Sequence, residues 1–460
     1  MTLAAEQVSV IIIHPALKGA AGARLPEARL EEAAGLAAAI NLCVVDTKVI
    51  SVNRPRPATL IGGGKVDEIR AQLDATEPRP GLVIVDGALT PVQHRNLETA
   101  WDVKVLDRTA LILEIFGERA QTAEGRLQVE LAHLDYQRSR LVRSWTHLER
   151  QRGGAGFLGG PGERQIESDR RALADKIVRL KKKLEDVKRT RALQRAKRKR
   201  APHPVAALVG YTNAGKSTLF NRLTKSAVKA EDLLFATLDP TMRAIDLPSG
   251  LRLILSDTVG FISDLPTQLV AAFRATLEEV LEADVIIHVR DFAHQDTEAQ
   301  RDDVISVLAA LGIEQDDERP VIEALNKLDL LSDEGRESAE TIAQASQTGA
   351  VGTMETPVRV ALSAQTGAGV DQLLELVEET LTAAHETIDI AIPASDGAAR
   401  AWLYGHAEVM DEQPGKTELV LTVRLSRKAR GQFFKSFPAA REATPTDVKD
   451  DAAHVAHSSA

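Results

Sequence analysis

The 460-residue chain contains a single cysteine, Cys43. One thiol can neither close an intramolecular disulfide nor build a cysteine-rich zinc site, so core packing and hydrogen bonds must hold the fold, as expected in a reducing compartment. Aromatic residues make up only 3% of the chain, which calls for aliphatic cores of Leu, Ile, Val and Ala. Long apolar runs are missing too. Nothing approaches the roughly 20 residues that cross a bilayer as a helix. The opening "MTLAAEQVSVIIIHP" has no basic segment ahead of its short apolar run, unlike a secretory leader. The expectation is a cytoplasmic protein without a membrane span.

Hydrophobic residues at 44% and charged residues at 27% are ordinary for a folded chain. The length suggests two to four domains at roughly 100–200 residues each. The net charge of −9 conceals an asymmetry. Residues 124–200 hold 22 Lys and Arg against 10 Asp and Glu, leaving 35 basic and 56 acidic residues elsewhere. One basic segment in an acidic chain suggests a polyanionic partner, with a solvated helix face as the plainer alternative.

The patterning predicts a multi-domain α/β protein. In residues 1–122, the strand-like runs "VSVIII" (8–13), "LCVVD" (42–46), "GLVIVD" (81–86) and "VKVLD" (103–107) are interleaved with amphipathic stretches at 27–40, 65–73 and 108–116, the mark of an N-terminal α/β domain. Residues 123–200 differ. Leu127, Leu131, Leu134 and Leu141 follow a four-three rhythm with Arg138 on the missing beat, and Leu173, Ile177, Leu180, Leu184 and Val187 repeat it. Two such seams around the Gly-rich loop "GGAGFLGGPG" (153–162) predict an antiparallel helical hairpin, with a second helix from about 163 to 200. Residues 201–385 return to buried strands at 203–210, 251–257, 283–290, 320–326 and 357–364, hence a mostly parallel sheet. Residues 386–440 suggest a small α+β domain, and 441–460 a disordered tail.

"GYTNAGKST" (210–218) matches G-x-x-x-x-G-K-[ST] directly after the strand "VAALVG" and at the opening of "KSTLFNRLT". This is the context a phosphate-binding P-loop needs. Gly210 and Gly215 let the chain wrap a phosphate, and the backbone through Tyr211, Thr212, Asn213, Ala214 and Thr218 offers N–H groups at a helix N-terminus. Lys216 would reach the β- and γ-phosphates, and the Ser217 hydroxyl would ligate Mg2+. In "DTVG", Asp257 would hold Mg2+ through water, Thr258 and Val259 continue the segment, and the Gly260 N–H would meet the γ-phosphate. In "NKLD", comprising Asn326, Lys327, Leu328 and Asp329, the Asp329 carboxylate would accept guanine N1 and N2 hydrogens, which adenine lacks, and Asn326 would buttress the loops. "SAQTG" brings Ser363, Ala364 and Gln365, with the Ala364 N–H aimed at guanine O6. All four motifs sit at carboxyl ends of strands, where open α/β sheets bind ligands.

The segment "LLFATLDPT" (233–241) occupies the position of a first switch. Thr237 and Thr241 are both candidates for a second Mg2+ ligand, the other being a turn residue, and Phe235, Ala236, Leu238 and Asp239 flank the nucleotide. Catalysis would fall to Lys216, Thr237 and Gly260. Many GTPases carry a water-orienting Gln after "DxxG", but here Phe261 stands there and cannot orient water. Slow intrinsic hydrolysis and a stimulating partner are expected. A P-loop Asn at position 213 resembles GTPases that recruit K+ beside the phosphates, against the plainer reading of a loop-packing side chain. "GGGK" (62–65) lacks the Ser/Thr and first Gly of a P-loop and reads as a turn before a helix.

Taken together, "GYTNAGKST", "FATLD", "DTVGF" and "NKLD" resemble the Obg–HflX group of translation-factor GTPases. "RLQVELAHLDYQRSRLVR", "GGAGFLGGPGERQIESDRR" and "RPRPATLIGGGKVDEI" are similar to the HflX family in particular. The resemblance implies Thr237 as the Mg2+ ligand, and association with the large ribosomal subunit in splitting or rescuing stalled ribosomes under stress. It gives the hairpin a use. Lys181, Lys182, Lys183, Arg195, Lys197, Arg198, Lys199 and Arg200 would track RNA phosphates, while Gly153, Gly154, Gly159 and Gly160 let the backbone approach RNA and Phe157 stacks on an unpaired base. A membrane is the rival partner, through Phe157 and Leu158, but two apolar side chains bury too little for stable anchoring beyond a peripheral contact. A GTP-regulated scaffold that binds protein through the hairpin seam is the alternative function. A monomer is expected.

Overall fold

The computed structural model describes residues 8–18, 24–151, 161–198, 203–225, 235, 241–263, 277, 279–313, 319–346, 352–383, 385–415 and 417–443. The N-terminal unit runs β1 (Ser9–Leu17), α1 (Pro26–Ala38), β2 (Cys43–Val52), α2 (Gly63–Ala75), β3 (Leu82–Val85), α3 (Pro91–Trp101), β4 (Lys104–Asp107) and α4 (Arg108–Arg119). Its four strands are parallel in the order β2-β1-β3-β4. Val10 to Ile13 and Val83 to Val85 are buried because helices cover both faces. "GGGK" opens α2, and Lys65 turns to Glu68 at 2.6 Å. Helix α3 was not anticipated, although its start signal is written out. Thr90 and Gln93 form a reciprocal capping box, and Pro91 takes the first helical position.

Helices α5 (Ala123–Gln151) and α6 (Pro161–Arg198) form the hairpin. Leu127, Leu131 and Leu134 pack against Leu173, Ile177 and Leu180, and Lys176 pairs with Glu130 at 2.8 Å. Arg138, on the missing beat, leaves the seam for Asp135 at 2.8 Å. Helix α6 begins two residues earlier than expected, because Pro161 is preorganised for a first helical position. Its 38 residues extend ~57 Å. A second face of α5 belongs to the N-terminal unit. Val129 and Ala132 join its core, Tyr136 donates to Asp107 at 2.8 Å and Arg140 to the same carboxylate at 2.5 Å.

The next unit comprises β5 (Val205–Val209), α7 (Lys216–Thr224), β6 (Thr241–Asp246), β7 (Arg252–Asp257), β8 (Val285–Asp291), α8 (Thr297–Ala310), β9 (Val321–Asn326), α9 (Asp333–Ser346), β10 (Val358–Ala361) and α10 (Val370–Ala383). The sheet order is β10-β9-β8-β5-β7-β6, parallel except that β6 runs antiparallel to β7. Strand β6 was not foreseen. Its half-exposed pattern lacks the apolar density of the central strands. Thr241, expected as a metal ligand or turn residue, opens this strand opposite Asp257.

A final antiparallel sheet, β12-β13-β11-β14, uses β11 (His385–Pro393), β12 (Glu408–Pro414), β13 (Glu418–Ser426) and β14 (Arg441–Glu442), covered by α11 (Gly397–His406) and α12 (Arg427–Ser436). Ile390, Ile392, Leu403, Leu421, Val423 and Phe433 fill its core. The ordered chain thus passes position 441, where a tail was expected, because Arg441 and Glu442 pair with Ala391 and Ile390 on β11.

Candidate nucleotide-binding site

The motifs meet at the carboxyl ends of β5, β7, β9 and β10. The P-loop connects β5 to α7. Lys216, buried at the helix start, donates to the Gly210 carbonyl at 3.0 Å and the Tyr211 carbonyl at 2.7 Å. Burial pushes its ammonium down to about 8, and the Asp257 carboxylate pulls the other way. The Ser217 hydroxyl donates to Asp257 at 2.8 Å. A hydroxyl beside a buried carboxylate is a hard oxygen pair suited to Mg2+, which keeps most of its shell for water and phosphate oxygens. No cluster of three His, Cys, Asp or Glu able to hold a metal occurs among the described residues. Phosphate oxygens of a nucleotide would add to the shell of an ion held there, and the ion would neutralise charge on the phosphates.

Gly260 lies against the P-loop. A Cβ there would come within 2.8 Å of Thr212 Cγ2 and 3.0 Å of Lys216 Nζ. The next residue is stitched to the same loop, with Phe261 N–H donating to the Gly210 carbonyl at 3.1 Å and Thr212 N–H to the Phe261 carbonyl at 2.8 Å. The Phe261 ring is buried in the core. Thr258 is fastened to Leu208 through its hydroxyl at 2.6 Å. Asn213 has φ of +59° on the exposed side of the loop.

At the ends of β9 and β10, Asn326 donates to the Ala214 carbonyl and accepts the Ala364 N–H, both at 2.8 Å. Asn326 thus joins the 210–218 loop to the 363–365 loop. The Ala364 N–H, expected at guanine O6, is directed to Asn326 in this structure. Ser363 donates to Asp329 at 2.5 Å, which orients that carboxylate. Lys327 pairs with Asp291 at 2.7 Å. Ala236, Thr237, Leu238 and Asp239 lie outside the described residues, as do Gly153, Gly154, Phe157, Gly159 and Gly160 of the hairpin tip.

Sequence reasoning missed the residues that reach the site from the N-terminal unit. Tyr211 accepts hydrogen bonds from Arg24 at 2.7 Å and from the Ser263 N–H at 2.8 Å, and donates to Glu32 at 3.0 Å. Arg108, buried at the start of α4, donates to Asp86 at 2.6 Å, Glu32 at 2.5 Å and the Ser263 hydroxyl at 2.9 Å. Burial would raise the Asp86 carboxyl, but His14, Arg108 and Arg29 hold it down to about 2. Phe235 sets its ring edge-on to Phe116 of α4 at 4.7 Å. These partners lie far away in sequence, and no local pattern announces them.

Family models match four consecutive stretches of the chain: "GTP-binding GTPase N-terminal" over residues 27–117, "GTP-binding GTPase Middle Region" over 119–198, "50S ribosome-binding GTPase" over 205–327 and "HflX C-terminal domain" over 351–435. The GTPase HflX of Magnetococcus marinus is 48% identical over 404 residues, covering 88% of this chain and 89% of its own length. The GTPase HflX of Escherichia coli is 45% identical over 351 residues, or 76% and 78% of the two chains. Among solved structures, a GTP-binding protein of Sulfolobus solfataricus in complex with GDP aligns with 82% of this chain and 99% of its own at 22% identity and a TM-score of 0.44, too distant to add to the geometry above.

Proposed function

The chain belongs to the HflX family of GTPases, and on that premise we propose that it binds and hydrolyses GTP with Mg2+ while docked on the large ribosomal subunit, separating or rescuing stalled ribosomes under stress. In this reading the cradle at Gly210–Thr218 takes the phosphates, Ser217 and Thr237 hold the metal, Asp257 supports it through water, and Asp329 with the 363–365 loop takes guanine. The hairpin tip meets ribosomal RNA, and the protein acts as a cytoplasmic monomer. A K+ ion beside Asn213 belongs to the same proposal, and exchanging K+ for Na+ in the assay buffer tests it.

The observation that carries the ribosome role is on α6. Lys181, Lys182 and Lys183 are exposed on a helix whose apolar seam is already filled by α5. Such a surface suits phosphates. It does not suit a protein that would have to enter the seam, and this disfavours the scaffold reading. No helix among the described residues is long and apolar enough to cross a membrane. The buried Phe261 ring adds a reason for slow unaided turnover, because it offers the attacking water no hydrogen bond.

The test is the steady-state GTPase rate with and without purified large ribosomal subunits at two salt concentrations. We expect stimulation on the order of a hundredfold or more that weakens as salt rises. An unchanged rate under both conditions would remove the ribosome role and leave the GTPase standing.

A further inference from the structure

Guanine recognition depends on where the loop 363–368, between β10 and α10, is held relative to the P-loop. The loop closes on itself. Ser363 N–H donates to the Ala368 carbonyl at 2.9 Å, Gly367 N–H to the Ser363 carbonyl at 2.8 Å and Thr366 N–H to the Ser363 hydroxyl at 3.1 Å. These bonds shape the turn without fixing its distance from the phosphates. Asn326 supplies one tie across that distance, joining Ala214 to the Ala364 N–H. The second tie is Arg222, which belongs to none of the nucleotide motifs. From α7 its Nε donates to the Ala364 carbonyl at 2.6 Å and its Nη2 to the Gln365 carbonyl at 2.5 Å. Ala364 is thus gripped at both its N–H and its carbonyl. Gly367 has φ of +98°, and a Cβ there would come within 2.6 Å of Arg222 Nη1, so glycine makes room for the guanidinium against the loop.

We propose that Arg222 is a positioning residue for guanine binding, fastening the base loop to the helix whose first residue is Lys216. The inference rests on the assignment of Asp329 and the 363–365 loop to guanine. Chemistry favours this division of labour. The keto oxygen of guanine needs an N–H donor, whereas Arg222 takes only carbonyls, so this tie, unlike that of Asn326 on the Ala364 N–H, does not compete with the base. The guanidinium fork suits two adjacent carbonyls, and both bonds are charge-assisted. A lysine, as a point charge, can keep one.

The test uses R222M and R222K in the full chain, with GDP, ADP and inorganic tripolyphosphate competed against a fluorescent GDP. In R222M, GDP should bind about tenfold more weakly through faster release, a size expected for losing charge-assisted hydrogen bonds at a partly exposed site. Tripolyphosphate affinity and the single-turnover GTP hydrolysis rate at saturation should stay within about twofold, because the phosphate loop is untouched. R222K should fall between R222M and the parent. Unchanged GDP affinity in R222M would overturn the proposal. So would an equal loss for tripolyphosphate, which would place the defect in the phosphate loop. A parent protein that failed to prefer GDP over ADP would instead sink the guanine assignment, whatever the variants did.

Discussion

Lys216, the residue proposed to meet the nucleotide phosphates, is buried, and that position makes it sensitive to pH. Its ammonium, pushed by burial down to about 8, is charged below that pH and neutral above it. Phosphate placed against it favours the charged form, so its pKa with nucleotide bound must exceed its value without. Nucleotide binding should therefore take up a proton at and above about pH 8, and affinity should begin to fall there while staying flat between about pH 7 and the start of the decline. Calorimetric titration with GDP in buffers of different ionisation enthalpy reads both effects. Affinity flat up to about pH 9, with no proton uptake, would contradict this account. The identity of Lys216 was plain from its motif. Its burial was not, because that depends on the Gly260 segment closing over it from another strand.

At the scale of elements, the central strands were legible where both faces are buried. "VAALV", "VIIHV" and "VIEAL" are nearly continuous apolar runs. Edge strand β6 and helix α3 were not, since β6 is half exposed and α3 announces itself only through its cap. Two polar residues inside those runs, His288 on β8 and Glu323 on β9, are where the pattern breaks. Burial pushes His288 down to about 4, so it is neutral near pH 7. Burial would raise Glu323, but His288, Arg290, Arg359 and Arg301 together hold it near 2. It accepts from Arg301 at 2.6 Å, Arg359 at 2.9 Å and Arg290 at 3.3 Å, tying β8, β9, β10 and α8 together. A carboxylate with a lowered folded pKa stabilises above its unfolded value and loses that contribution as pH falls through the folded one. Its acid limb therefore runs from the ordinary 4.5 down to about 2. Glu323→Gln should cost about 3–5 kcal/mol at neutral pH, because it removes the negative charge shared by three arginines and turns one of the two accepting oxygens into an NH2 group that faces them. The variant should also lose much of the acid limb. Urea unfolding at pH 7 and at steps from pH 4.5 down to about 2 checks both, and a loss below about 1 kcal/mol at pH 7 would show that the arginines find other partners.

For the whole molecule, the question is how the N-terminal unit and the nucleotide domain come to share one core. Hydrophobic contacts run without interruption from β1 and α4 through Phe116 and Phe235 to the central strands of the nucleotide domain. Across this boundary stands the charged group of Arg24, Glu32, Asp86 and Arg108, joined to Tyr211 of the P-loop and to Ser263 just past "DTVG". The arrangement was invisible in sequence because, Arg24 and Glu32 apart, its hydrogen-bonded members are 22 to 231 residues from one another. Arg108 is the member with most at stake. Its side chain is 4% exposed and neutralises two carboxylates that are themselves buried. Replacing it with Met keeps the aliphatic stem and leaves Glu32 and Asp86 short of their shared cation, a change worth about 3–5 kcal/mol at the boundary. The parent should unfold with the two units in one calorimetric transition. Arg108→Met should split it, the N-terminal unit melting first because its sheet has four strands against six. Arg108→Lys should give an intermediate result, since a lysine reaches one carboxylate where the guanidinium forks between two. A single unshifted transition in Arg108→Met would mean that the shared apolar core, and not the charged group, holds the two units together.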